Sequence, residues 1–299
     1  MARARGLDHA PRLRIFDPGG SVVTAGRIAV ADGTVAIGDT PDGEDGSYVP
    51  EARVPRPEWR PADAAMLAAL AAPDGPCDWS RTIGLARIDG ALLAQVQAAL
   101  LDGGGDAAAI KRRAREPAIQ EVIRRMEEDL TDRYARRRER LRSLGVHAQP
   151  GAGPTQTIEG PRQAKLGLHV DSWDRMPLGR RPIARNRLAV NLGRQSRDLL
   201  FVDLPIAAIA QVLAEAERAS LPLWKRWRDR RPSPAGMPVP AMPRAFLALC
   251  PDYPVIRMTL APGEGYIAPT ENMIHDGCCA ADGAMDVHLT LLGDFAAVP

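Results

Sequence analysis

Lysine is nearly missing from this chain. Of its 39 basic residues only Lys111, Lys165 and Lys225 are lysines, and the rest are arginine. With the heavy use of alanine, this points to a GC-rich, bacterial coding sequence rather than to a function. Aromatic residues are scarce, at 4%. The four cysteines, Cys77, Cys250, Cys278 and Cys279, have no CxxC spacing, which argues against a zinc ribbon or a disulfide framework. Two adjacent cysteines are badly placed to bond to each other, so buried free thiols in a cytoplasmic protein are expected. A surplus of charge is also lacking: 39 basic against 37 acidic residues leave +2, which argues against a nucleic-acid partner. No apolar run reaches the roughly 18 residues of a membrane span. The longest, residues 199–214, is broken by Asp203 and Pro205. The first 16 residues carry basic side chains without a following apolar stretch, so no secretory signal is expected.

What is present is enough for a large core: 299 residues, 45% of them apolar. Residues 1–60 are rich in Gly, Asp and Pro, with short β-like pieces at 13–16, 27–30 and 34–37, and read as a β-rich arm or flap. Residues 61–150 read as a helical part, with helices expected over 61–72, 88–101 and 116–144. In the last, Ile119, Ile123, Met126, Leu130, Tyr134 and Leu141 recur near the helical period. Beyond the loop at 150–154 the period changes from 3.6 to 2. Strands are expected over 165–172, 186–193, 198–204, 255–260, 265–269 and 286–295, interrupted by a helix over 206–220. The segment 232–244 holds five prolines and is expected to lack regular structure. The class is therefore α+β.

The chemistry concentrates in Leu166-Gly167-Leu168-His169-Val170-Asp171-Ser172-Trp173. In a strand, His169 and Asp171 share one face, about 7 Å apart at the backbone, while Leu168 and Val170 share the other. An imidazole and a carboxylate so placed can close on one metal ion, with a third ligand from elsewhere. The chain has five histidines: His9, His147, His169, His275 and His288. His275 follows the turn Pro262-Gly263-Glu264-Gly265 and a short strand, and is expected near a strand end. Two histidines and one carboxylate on one face of an octahedron leave three positions open, a set suited to non-haem Fe(II).

His169-x-Asp171, a distant His275 and the alternating strands between them resemble the non-haem Fe(II), 2-oxoglutarate-dependent oxygenases, over about residues 165–295. The resemblance implies a double-stranded β-helix, a jelly-roll or cupin-like fold, over 151–299, with an insert at about 205–254 that could act as a lid. It implies Fe(II) held by His169, Asp171 and His275, 2-oxoglutarate and O2 as co-substrates, and hydroxylation of an unactivated C–H. The chain departs from the family in one respect. No arginine follows His275, and where an Arg-x-Ser often pairs with the far carboxylate of 2-oxoglutarate this chain has His288-Leu289-Thr290. Some relatives use a basic residue on a strand soon after HxD instead. Arg187 is expected to supply the charge, with Arg185 and Arg257 in reserve, and a protonated His288 with Thr290 to supply hydrogen bonds.

Asp276 and Glu271 are expected to orient His275. Trp173 walls the pocket or joins the core, and Asn191 and Arg257 lie on polar strand faces that would meet a substrate. Trp224-Lys225-Arg226-Trp227-Arg228 and Arg136–Arg138 read as solvated helix faces, with anion contact as the alternative. His9 and His147 read as incidental. The expected substrate is a small molecule, amino-acid-like or a natural-product intermediate, bearing carboxylate or phosphate. Two other classes remain open: a cupin-like metal protein that does not use 2-oxoglutarate, and a binding scaffold in which HxD is accidental.

Overall fold

The computed structural model describes residues 12–41, 46–73, 77–136, 140–151, 153–160, 163–222, 234, 236–279 and 284–296. Two sheets dominate. The six-stranded sheet runs β1 (Arg14–Phe16), β6 (Thr82–Arg87), β13 (Glu264–Ala268), β10 (Asn186–Asn191), β15 (Met285–Gly293), β7 (Arg142–Pro150). The five-stranded sheet runs β14 (Met273–Cys278), β11 (Arg197–Pro205), β12 (Val255–Leu260), β2 (Ile28–Ala31), β5 (Trp59–Pro61). Within these sheets β1 and β6 pair in parallel, and the other neighbours are antiparallel. Two small antiparallel pairs, β3 (Thr34–Ala36) with β4 (Arg53–Pro55) and β8 (Ile158–Glu159) with β9 (Ala164–Lys165), complete the β-structure named here. The chain is α+β, and strands from residues before 61 enter both sheets.

The helices cover the outer faces. Helices α1 (Ala64–Leu70), α2 (Gly90–Leu101) and α3 (Ala107–Arg113) begin at Asp63, Asp89 and Asp106, whose carboxylates accept the otherwise unpaired amides of the first turn. Helix α4 (Pro117–Tyr134) starts on a proline, which needs no intrahelical partner there. The buried faces of α2, α3 and α4 pack on Leu188, Val190, Val287 and Leu289 of the six-stranded sheet. On the other side, α5 (Ile206–Ser220) and α6 (Met242–Leu249) pack on Leu200, Val202 and Val255. A third cluster, including Leu199, Phe201, Met258 and Tyr266, fills part of the space between the sheets. The apolar faces of β10 and β15 thus point outward to the helices, and their polar faces point inward, as alternation requires. No helix among the described residues is long and apolar enough to cross a membrane.

Several local expectations are corrected. The expected strand over 165–172 is broken: β9 ends at Lys165, Gly167 takes φ 71°, and only His169 forms a bridge onward. Gly167 is required there, because a Cβ would lie 2.6 Å from the Arg53 carbonyl oxygen. The helix expected to reach 144 stops at Tyr134, and Arg142–Pro150 pairs with β15. A sheet edge overrides the local helical pattern of this arginine-rich stretch. Strand β6 and helix α3 have no counterpart in the sequence expectation. Helix α6 starts inside the proline-rich segment, with Pro243 in its first turn. His9, Arg137, Arg138, 224–228 and part of the expected insert (223–233 and 235) lie outside the described residues.

Candidate metal centre

After Gly167 the chain runs extended along the edge of β14. The amide of His169 donates to the His275 carbonyl at 3.1 Å, and the amide of His275 donates to the His169 carbonyl at 2.8 Å. This single bridge sets two imidazoles side by side, with ring centroids 4.8 Å apart. His275 therefore sits within β14, not at the end of a strand as expected. Asp171 lies between the rings: its Oδ1 is 3.5 Å from His169 Nε2 and its Oδ2 is 3.6 Å from His275 Nε2. All three residues are buried, and one ligand atom from each falls within 4.8 Å of the others.

Ligation needs unprotonated nitrogens aimed inward, and the backbone arranges this. His169 Nδ1 lies 3.0 Å from the Gly167 carbonyl and His275 Nδ1 lies 3.3 Å from that of Met273. A carbonyl only accepts, so in the neutral ring each Nδ1 carries the proton and each Nε2 holds the lone pair a metal needs. Both Nε2 atoms are buried without a hydrogen-bond partner among the described residues. A buried polar atom left so is costly, and a metal ion resolves both. First-row metal bonds of about 2.0–2.2 Å set neighbouring ligand atoms about 3 Å apart, so the Asp171 oxygens, at 3.5 and 3.6 Å from the two Nε2 atoms, would draw in around a bound ion.

The surroundings of the ligands differ from expectation. Asp276, fully buried, faces His169 rather than His275, with Oδ2 3.4 Å from His169 Nδ1. It projects from the face of β14 opposite to His275, and the HxD segment is its neighbour across that edge. Its Oδ1 accepts from Thr157 Oγ1 at 2.9 Å and from the Thr157 amide at 3.1 Å. Glu271 does not reach His275; it accepts from the Asp174 amide and faces Arg181. Arg187 Nη1 lies 3.2 Å from Asp171 Oδ2. Burial pushes the Asp171 carboxyl upward, but Arg187, then His275 and His169, outweigh it and hold it well below the usual carboxylate range. Burial lowers the His169 pKa, and the neighbouring Asp171 and Asp276 carboxylates more than reverse this, to about 10. Burial lowers His275 to about 4. A metal thus competes with a proton at His169 but not at His275.

Deeper between the sheets is a second polar group that the sequence reading largely missed. Arg197, at the start of β11, is 5% exposed. Its Nε donates to Asp286 Oδ1 at 2.9 Å. Its Nη1, Asp286 Oδ2, His288 Nδ1 and Thr290 Oγ1 are buried without hydrogen bonds among the described residues. His147, expected to be incidental, stacks on His288 with centroids 5.2 Å apart. His288 is held neutral: burial first, then Arg197, lowers its pKa to about 3, against the protonated role expected of it. Asp286, His288 and Thr290 were legible as one polar face of a strand. Arg197 was not, because the expected strand began one residue later.

Of four further residues with expected roles, Asn191, Arg257 and Arg185 do not join the site. Asn191 is consumed by a turn: its side chain donates to the Gln195 and Leu260 carbonyls and accepts from the Gly193 amide. Arg257 points to the outer face, its guanidinium 4.5 Å from the centroid of the Trp59 ring, because Ile256, Met258 and Leu260 take the inward positions of β12. Trp173, two residues beyond Asp171, is 48% exposed and so is not core. Arg185, held in reserve as an anchor, is tied to Asp174. In comparisons with known proteins, no family model matches this chain and no curated protein matches its sequence.

Proposed function

We propose that the chain is a non-haem Fe(II)- and 2-oxoglutarate-dependent oxygenase that hydroxylates a small polar substrate. The observation that carries this reading is the convergence of two unpartnered Nε2 atoms and the Asp171 carboxylate in a buried space. Two imidazoles and one carboxylate suit Fe(II) and leave positions for a chelating co-substrate and O2. The double-stranded β-helix is supported by how the chain alternates between sheets. Strands β10, β13 and β15 belong to one sheet, β11, β12 and β14 to the other, and the HxD segment extends the second beside β14.

In this reading His169, Asp171 and His275 hold the metal, and Asp276 fixes the ring of His169. Iron bound there supplies oxygen activation coupled to oxidative decarboxylation of 2-oxoglutarate. The anchor for the far carboxylate shifts from Arg187, which is engaged by Asp171, to Arg197, with Thr290 and neutral His288 as hydrogen-bonding neighbours. Arg197 remains charged at any working pH, whereas His288 at about 3 does not. The substrate enters beside Asp171, where Trp173, Arg175 and Arg180 are exposed, a setting that favours a carboxylate- or phosphate-bearing molecule. The cysteines described are free thiols, consistent with the cytoplasm, and we place the enzyme there.

A metalloenzyme that does not use 2-oxoglutarate is the second reading. It is favoured by Asp286, which already neutralises Arg197 at 2.9 Å and would repel a second carboxylate. Anaerobic Fe(II) titration followed by assay of succinate release separates the two. Stoichiometric iron with 2-oxoglutarate-dependent succinate supports the first reading, and iron without succinate supports the second. No specific metal binding refutes both.

A further inference from the structure

The two metal-bearing segments, 169–171 and 273–275, are held together by one bridge at the ligands themselves and by little other regular pairing. The residue that ties them on the far side is Arg181. It lies in a short 3-10 helix, Leu178–Ile183, ten residues after Asp171 in the chain, and is 2% exposed. Its Nη1 donates to the backbone carbonyl of Asp171 at 2.6 Å and to that of Glu271 at 2.9 Å. Its Nε donates to the Met176 carbonyl at 2.9 Å, and its Nη2 to Ser172 Oγ at 3.1 Å. The Glu271 carboxylate lies 3.6 Å from Nη1 and also accepts from the Asp174 amide. The Asp171 amide donates to the Thr270 carbonyl at 3.0 Å, so the peptides flanking Asp171 are fixed on both sides.

A salt bridge with Glu271 alone would not need this geometry. The guanidinium spends its short bonds on main-chain carbonyls, one belonging to a metal ligand and the others to the loops that carry the ligands to each other. A planar fork with several donors can hold such an array, and a lysine ammonium with one flexible stem cannot reproduce it.

We propose that Arg181 is a positioning residue of the metal centre: it fixes the Asp171 carboxylate relative to His275 and thereby sets the affinity and ligand geometry of the bound metal. The inference rests on the metal-centre reading above. It does not depend on the reaction performed there.

The test uses Co(II) and Mn(II) as anaerobic probes of the full chain. Wild type is measured first: if it binds neither metal at one equivalent, the metal-centre reading fails and the clamp with it. Removing Arg181 also strands the buried Glu271 carboxylate, so Arg181→Gln is made together with Glu271→Gln, and Glu271→Gln is made alone as control. The control keeps every bond from Arg181 to a carbonyl and should bind Co(II) like wild type, with the same visible spectrum. The double variant should lose about 10- to 100-fold in affinity, the range found when groups that orient metal ligands are removed, and its Co(II) bands should shift. Arg181→Lys should recover only part of the loss. If a folded double variant, or folded Arg181→Lys should the double variant not fold, binds Co(II) with wild-type affinity and spectrum, the proposal is overturned. A Glu271→Gln control as weak as the double variant overturns it too, because the carboxylate would then be the operative group.

Discussion

A single methyl group at position 277 would test the interior described here. Gly277 lies on β14 two residues beyond His275, on the same inward face. A Cβ built there would fall 2.5 Å from Arg197 Nη2 and 3.1 Å from its Cζ. Contacts that short do not persist, so either the strand or the arginine must move. A surface arginine would swing aside at almost no cost. Arg197 cannot, because it is 5% exposed and held by Asp286 at 2.9 Å. Breaking that pair would leave a buried carboxylate unpaired, at about 3–5 kcal/mol. Shifting the strand costs about 1–3 kcal/mol, the usual range for overpacking, and is the cheaper route. Gly277→Ala should therefore lose about 1–3 kcal/mol in urea denaturation. With an unfolding entropy of roughly 2.1 cal/mol/K per residue, this is a fall of about 2–5 °C in melting temperature for the whole chain. Arg197→Lys removes the clashing nitrogen, so the double variant should cost measurably less than the sum of the two single variants. Gly277→Ala within about 0.5 kcal/mol of wild type, or strict additivity with Arg197→Lys, would refute the placement of Arg197 against β14.

Other expectations follow from the same interior. Asp276→Asn keeps the shape of the side chain but weakens its hold on His169, and should lower Fe(II) affinity about 10- to 100-fold by anaerobic titration; unchanged affinity would show that Asp276 serves only the 156–157 segment. On the proposed function, Arg197→Ala should raise the apparent KM for 2-oxoglutarate about 10- to 100-fold, from loss of a charged hydrogen bond of roughly 1.5–3 kcal/mol, and an effect confined to Arg187→Ala would put the anchor on β10 instead. His147 and His288 have folded pKa values lowered by burial to about 4 and about 3, against about 6.5 unfolded, so the stability they contribute is present above pH 6.5 and lost as the pH falls toward 3. Their share of the stability should fall by on the order of 3 kcal/mol between pH 7 and pH 5, and His147→Gln/His288→Gln should flatten the slope by that amount; an equally steep double variant would show that other groups cause it.

The sequence alone picked out His169 and Asp171 as candidate ligands, because that signal is local; that His275 lies beside them was decided by the bridge to β14. His169 and Asp171 are two positions apart, and extended backbone puts alternate residues on one side without help from the rest of the fold. It also determined the inward polar faces of β10 and β15, the helix Ile206–Ser220 and the five apolar positions that bury α4, because period and propensity agree there. The tertiary structure decided everything that depends on a partner distant in the chain. Arg142–Pro150 is a strand only because β15 offers it an edge. Arg257 faces outward because its neighbours Ile256 and Met258 have a core to fill, and Asn191 is consumed by carbonyls at Gln195 and Leu260. Asp276 serves His169 rather than the adjacent His275 because the HxD segment lies across the edge of β14. Arg197 became an interior group only through pairing with Asp286, a contact 89 residues apart in the chain that no periodicity encodes.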